Sequence, residues 1–358
     1  MVKNDRFTPG RPWLDTDGNR IQAHGGSVLY YEGAYYWYGE NKEFTDIPNR
    51  IWHWGIRMYR SADLYNWDSL GIVIPPEPDD ETSPLHPWAH MDRPHILYNE
   101  RTRKFVAWIK VMEDGQQRES VLVADRLTGP YTLVRKFISP AGMSGGDFDL
   151  QVDESDQARI IFEHPHSEMI VADLTDDYLE VRPGFSRHFT GMAPPDAREA
   201  PAWFFRRGKW YLFTSGTTGK YPNRSLAAVA DAPHGPYRVL GDPHPDDPTH
   251  TSFHSQISCV FRVRGKKDLF IAAADRWFPE HMDIPYESYA KVLREMFDPE
   301  ATEGQREKAR DGLRFLPIEN SAIADYVWLP VRFEGENVIL DWKDEWRLSD
   351  YEDEEESQ

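Results

Sequence analysis

A short apolar strand, a tight polar turn and a second, aromatic strand recur five times along this chain, and a polar residue stands before each copy. The copies read HGGSVLYYEGAYYWYGE from His24, DRPHILYNERTRKFVAWI from Asp92, DFDLQVDESDQARIIFE from Asp147, EAPAWFFRRGKWYLFTS from Glu199 and QISCVFRVRGKKDLFIAAA from Gln256. The polar leaders are 68, 55, 52 and 57 residues apart, which suits one four-stranded blade per repeat in a radial array. A second refrain, Ala-Asp, recurs at Ala62-Asp63, Ala124-Asp125, Ala172-Asp173 and Ala230-Asp231, each followed within six residues by Tyr or Trp. The Asp, Gly and Pro residues around it belong where a chain turns, so these stretches are read as outer hairpins. The pattern predicts an all-β fold, a five-bladed β-propeller occupying residues 1–350 as one domain. Between about Pro279 and Asn320 the strand pattern gives way to ESYAKVLREMF and EGQREKARDG. These helix formers predict a helix-rich insertion (279–320) in the last blade, as a lid, an oligomer contact or a solvated excursion. The acidic end, 351–358, reads as a disordered tail.

In a propeller the innermost strand of each blade lines the central channel, so residues at equivalent strand starts converge although they are distant in sequence. The set predicted to meet is His24, Asp92, Asp147, Glu199 and Gln256. Three carboxyls sharing a partly desolvated pocket repel one another, which pushes at least one pKa upward and provides a general acid near neutral pH. The plainer reading pairs Asp92 and Glu199 with the adjacent Arg93 and Arg198, merely sealing the channel.

Charge and composition narrow the partners. A formal charge of -19 argues against nucleic acid or an anionic membrane as partner, since both demand clustered Lys and Arg. The single cysteine, Cys259, stands in an apolar strand and is read as a small core hydrophobe. The N-terminal MVKNDRFTPGRPW has no apolar h-region, so the expected location is cytoplasmic. The chain carries 13 Trp, 17 Tyr and 18 Phe. Most belong to blade cores, but Trp88, Trp203 and Trp277 lie near leaders or strand ends, where a flat ring can stack on a sugar.

Carboxyls with aromatic platforms in an acidic pocket are the equipment of glycoside hydrolysis, in which one protonated acid meets the leaving oxygen and a second group activates water. No glycine-rich phosphate loop opening a helix, no Gly-x-Ser-x-Gly elbow, no Cys-x-x-Cys and no zinc helix occurs in the sequence. Glu163-His164-Pro165-His166 has metal-ligand chemistry, but without a third ligand at a defined spacing it is read as a turn or pocket wall. The site is read as cofactor-free with no metal in the chemistry, leaving room for a structural ion in the channel.

The chain resembles glycoside hydrolase family 43, and within it the exo-β-1,3-galactanase-like branch. The phrases that carry the likeness are IQAHGG (21–26), YYWYGENK (35–42), DRPHILYN (92–99), the Asp147 strand start, REAPAWF (198–204), TSGTTG (214–219), HSQIS (254–258), DRW (275–277) and YVWLP (326–330). The resemblance implies that Glu199 is the general acid and that Asp147 tunes it. It further implies that Gln256 holds the attacking water in place of the aspartate base that most members carry in the first blade, where this chain has Gln22-Ala23-His24-Gly25-Gly26. An amide is a poor base, so Glu40 is the alternative. His24, Glu40, Asp92, Thr217, Thr218 and Trp277 would contact the sugar, and inversion would place acid and water-holder roughly 6.5 to 9.5 Å apart. Asp92 stands where the branch usually has Glu, which puts the substrate in question. The expected activity is release of galactose from β-1,3-linked galacto-oligosaccharides or galactan. The alternatives are an α-L-arabinofuranosidase or β-xylosidase, a phosphorylase, or a non-catalytic sugar-binding propeller. The implied partner is an oligosaccharide, not nucleic acid or membrane, with no oligomeric state assigned.

Overall fold

The five repeats form five antiparallel sheets in a computed structural model that describes residues 3–312 and 320–355. The first blade holds β1 (His24–Tyr31), β2 (Ala34–Glu40), β3 (Ile56–Ser61) and β4 (Asp68–Ile74). The second holds β5 (Asp92–Asn99), β6 (Lys104–Glu113), β7 (Gln116–Ala124) and β8 (Thr132–Ile138). The third holds β9 (Phe148–Val152), β10 (Ala158–His164), β11 (Glu168–Asp173) and β12 (Ser186–His188). The fourth holds β13 (Arg198–Arg206), β14 (Lys209–Gly216), β15 (Leu226–Ala230) and β16 (Arg238–Gly241). The fifth has three strands, β17 (Gln256–Arg262), β18 (Phe270–Arg276) and β19 (Asp325–Pro330). Each blade is a meander in which sequence neighbours pair. The first strands touch in a closed ring from β1 through β5, β9, β13 and β17 back to β1. The Ala-Asp refrain falls where each third strand of blades one to four turns into the fourth.

Successive side chains on a strand point to opposite faces, and here both faces are covered by neighbouring blades. On β2, Trp37 joins the core between blades five and one while Tyr38 joins that between blades one and two. Separate apolar clusters fill the remaining junctions. The ring closes on a tryptophan-rich seam in which Trp37 and Trp328 lie 4.5 Å apart, and Phe7 pairs with Trp346 through two backbone hydrogen bonds. Cys259 is buried in this seam.

The insertion forms two helices, α1 (Tyr286–Met296) and α2 (Glu303–Gly312), between β18 and β19. Residues 313–319 of the expected insertion lie outside the described residues. Among the described residues no helix is long and apolar enough to cross a membrane. The acidic end departs from its reading as a disordered tail. Glu352 and Glu354 make backbone bonds with Lys267 and Gly265, while Lys266 and Lys267 pair with Asp353 and Glu352 at 2.5 and 2.8 Å. The charge run is matched by a basic turn about 85 residues earlier, a complement that local reading misses. Residues 356–358 of that tail lie outside the described residues.

Candidate active site

A bulge at the start of the innermost strand follows three of the leaders. The register slips just after His24, Asp92 and Glu199, and the next residue in each case is left-handed: Gly25 (φ 59°), Arg93 (φ 52°) and Ala200 (φ 49°). An extra residue in that conformation bends the strand and re-aims its neighbour. At Arg93 and Ala200 it costs about 1 to 2 kcal/mol, which a glycine would avoid.

Four of the five leaders line one pocket of about 270 Å³: Asp92, Asp147, Glu199 and Gln256. His24 does not. It is fully buried, stacked on Tyr326 at 4.9 Å, with Nδ1 3.0 Å from Asp275 Oδ1. Asp275 also accepts the Gly25 amide at 3.0 Å. Burial pushes the His24 pKa down. The sugar contact expected of His24 is therefore replaced by a supporting one, because Asp275 draws the ring beneath the wall that carries Trp277, 5.6 Å away.

The expected mutual repulsion of three carboxyls is also corrected. Lys110, which the sequence did not single out, places Nζ 3.0 Å from Asp92 and 2.9 Å from Asp147. Burial raises both carboxyl pKa values, yet the lysine and, for Asp147, Arg93 hold them below the usual range. Glu199 goes the other way. Burial, then the charges of Glu163 and Asp147, push its pKa well above the carboxylate range against the opposing pull of Lys110 and Arg93. Glu40, 1 % exposed, is pushed up to about 7 by burial, opposed by Lys42 at 2.6 Å.

The plainer pairing of each leader with its adjacent arginine is not what forms. Arg93 crosses the channel to Asp147 at 3.2 Å and donates to Gln256 Oε1 at 2.6 Å. Arg198 turns away to Thr214 and the Arg224 carbonyl. Gln256 is fully engaged. Its oxygen accepts from Arg93 and from Trp277 Nε1 (3.2 Å), and its nitrogen donates to Ser215 Oγ (2.9 Å) and Glu199 Oε1 (3.3 Å). Two obligate donors on one side fix which end is oxygen. The amide thus touches the acid, in place of the expected 6.5 to 9.5 Å gap.

Thr217 lines the pocket with its hydroxyl donated to the Ala197 carbonyl at 2.9 Å. Thr218 does not line it. Its hydroxyl donates to the Tyr221 carbonyl and accepts from Asn223 inside the same loop. Of the three candidate platforms, Trp277 lines the pocket, Trp203 is fully buried in a blade core, and Trp88 packs against His90 outside it. Trp52, missed in the sequence, supplies the second ring. It stacks on His90 at 4.4 Å and donates Nε1 to Asp92 at 2.7 Å. Glu163 and His164 end β10, and Pro165 and His166 open the turn that follows, where His166 lines the pocket. Among the described residues no group of three or more His, Cys, Asp and Glu is arranged to hold a metal ion. The insertion leans on the pocket rim. Tyr289 bonds the Pro222 carbonyl beside the lining Thr217 and Lys220, and Phe297 packs edge-on against His166 at 5.7 Å.

Residues 21–279 match the sequence model of the glycosyl hydrolases family 43. No curated protein matches. Among solved structures, a family 43 β-1,3-galactosidase is 27 % identical with a TM-score of 0.78, covering 98 % of this chain and 65 % of its own. A second one, solved with galactodeoxynojirimycin, is 26 % identical with a TM-score of 0.76, covering 96 % of this chain and 100 % of its own. An exo-β-1,3-galactanase from Clostridium thermocellum shares the fold at 24 % identity and a TM-score of 0.72, over 95 % of this chain and 66 % of its own.

Proposed function

The chain belongs to glycosyl hydrolase family 43, and from that premise we propose that it is an exo-acting, inverting enzyme that releases galactose from β-1,3-linked galacto-oligosaccharides. The observation that carries the reading is the division of labour among carboxyls in one pocket. Glu199 keeps its proton, while Asp92 and Asp147 are held ionised by Lys110. Environments that drive carboxyl pKa values apart assign the acid and its charged neighbours.

Glu199 protonates the glycosidic oxygen as the bond breaks, and water attacks the anomeric carbon from the opposite face. Gln256 has both amide ends committed, so it aligns Glu199 rather than holding the water or removing its proton. Glu40 takes that proton. A buried carboxyl pushed up to about 7 is both ionised and basic just above neutrality. Trp52 and Trp277 give the sugar its apolar walls, and Asp92 accepts a hydroxyl. A pocket of about 270 Å³ is small beside the roughly 300–1,000 Å³ of drug-sized sites, which favours the end of a chain over its middle. The two β-1,3-galactosidases above 25 % identity support galactose as the sugar.

The test is product release from β-1,3-galactobiose and β-1,3-galactotriose beside aryl arabinofuranosides and xylosides, with the product anomer read by NMR. The expected result is galactose, first appearing as the inverted anomer. Hydrolysis of a pentoside alone replaces the sugar and keeps the chemistry, and silence on every substrate leaves a sugar-binding propeller.

A further inference from the structure

Arg198 is a buried cation that pairs with no carboxylate among the described residues. On β13 it stands opposite Gly216, while Glu199 stands opposite Ser215, so the two side chains leave the strand on opposite faces. Arg198 is 7 % exposed. Its Nε donates to Thr214 Oγ1 at 3.0 Å, and its Nη2 donates to the Thr214 and Arg224 carbonyls at 2.9 and 3.1 Å. All three acceptors are neutral, and among the described residues Nη1 has none. A buried charge left in that state is costly. Arg198 faces a cavity of about 140 Å³ that shares no lining residue with the sugar pocket. Arg224 and Arg294 line the same cavity, and the first turn of α1 forms another wall through Tyr286 and Glu287. Pro285 at the N-cap supplies no side-chain cap, so the amides of that turn are open donors at the positive end of the helix dipole.

We propose that this cavity binds a phosphate-sized oxyanion, which accepts from Arg198 Nη1 and the open amides of α1 and so ties the insertion to the strand that carries Glu199. A guanidinium beside a helix N-terminus is suited to a phosphate group. The volume lies well below the roughly 300–1,000 Å³ of drug-sized sites, which admits the anionic group and not a sugar ring with it. Two carboxylates also line the cavity, Asp196 and Glu287. Both are turned to Arg294, at 3.9 and 3.2 Å, and their side chains are 68 and 73 % exposed. Arg224 lies 3.4 Å from Asp242. Arg198 is thus the lining cation without an ion pair, and it is the most deeply buried of the three.

The test needs no turnover and stands apart from the glycosidase reading. Inorganic phosphate is titrated calorimetrically at fixed ionic strength into wild type, Arg198→Gln, Arg224→Gln and Glu287→Gln, and amide hydrogen exchange is followed at 286–288. Saturable one-to-one binding is expected, with those amides slowed by phosphate. Losing a hydrogen bond to a charged group weakens affinity about tenfold or more, so Arg198→Gln should bind at least that much more weakly. Glu287→Gln, which removes a carboxylate from the exposed rim, should bind more tightly. If Arg198→Gln does not fold, weaker binding in Arg224→Gln together with tighter binding in Glu287→Gln upholds the site. Galactose 6-phosphate in place of phosphate separates the sources. Tighter binding assigns the anion to a phosphorylated sugar, and equal or weaker binding assigns it to the free ion. No saturable binding, an affinity unchanged across the folded variants, or exchange at 286–288 untouched by phosphate overturns the proposal.

Discussion

Replacing Lys110 with methionine keeps the aliphatic stem and removes the cation shared by Asp92 and Asp147. Its Nζ lies 3.0 and 2.9 Å from the two carboxylates, and the residue is 9 % exposed. Removing one partner of a buried ion pair costs about 3–5 kcal/mol, because the other charge is left uncompensated. Arg93 remains on Asp147, and Lys42 stays 3.7 Å from Asp92, so the lower end, about 3 kcal/mol, applies. That is a large part of the roughly 5–15 kcal/mol that holds a domain folded, and in a chain of this length it lowers Tm by roughly 4 °C. The pH dependence follows from the direction of the shifts. Both carboxyls are held below their unfolded pKa of about 3.9, so their stabilisation is fully present above that pH and is lost as pH falls through the folded values. In Lys110→Met the folded values rise and this contribution disappears. Thermal melts of both proteins should therefore be furthest apart near neutrality and draw together as pH falls below about 3.9. A gap below about 1 kcal/mol at neutral pH, or one independent of pH, refutes the assignment of Lys110 as the shared partner.

Three further outcomes follow. Glu40→Gln removes the buried carboxyl that titrates at about 7, so the acidic limb of kcat should vanish together with most of the rate; an unchanged profile rejects Glu40 as base. The same variant should gain stability over wild type as pH rises from about 4.5 to 7, because a carboxyl whose folded pKa is raised loses stability across that window; parallel urea melts check it. Gly26→Ala would place a Cβ 1.9 Å from the Tyr38 carbonyl oxygen, and since backbone on β2 cannot yield as a side-chain tip can, the cost should exceed about 2 kcal/mol in chemical denaturation.

The blades were legible because a strand-turn-strand phrase repeated five times carries its own period, and the polar leaders marked the innermost strands. The carboxyl and amide leaders did converge, since equivalent strand starts share one radial position. What escaped was pairing between distant segments. Lys110 is an ordinary residue in KFVAWIKVME until β6 sets it opposite Asp92. His24 looked like a leader equal to the rest, and only Asp275, across the ring closure, takes it out of the pocket. Trp52 lies in an irregular connection with no period to announce it. Trp203 shows the converse, because a ring near a leader reads as a platform while strand alternation sends it into the blade core. The contact between Gln256 and Glu199 could not be read from roles inherited by resemblance, because it depends on how Arg93 and Trp277 turn the amide.

The central claim is that Glu199 donates the proton to the leaving group, and it is tested most directly by varying that group. Rates of Glu199→Gln and wild type are compared on β-1,3-galactobiose, whose leaving alkoxide needs a proton, and on dinitrophenyl β-galactoside, whose leaving phenolate does not. The account predicts a loss of about 100- to 10,000-fold on the disaccharide and near wild-type hydrolysis of the activated glycoside. Equal losses on both substrates, or none on either, would contradict it.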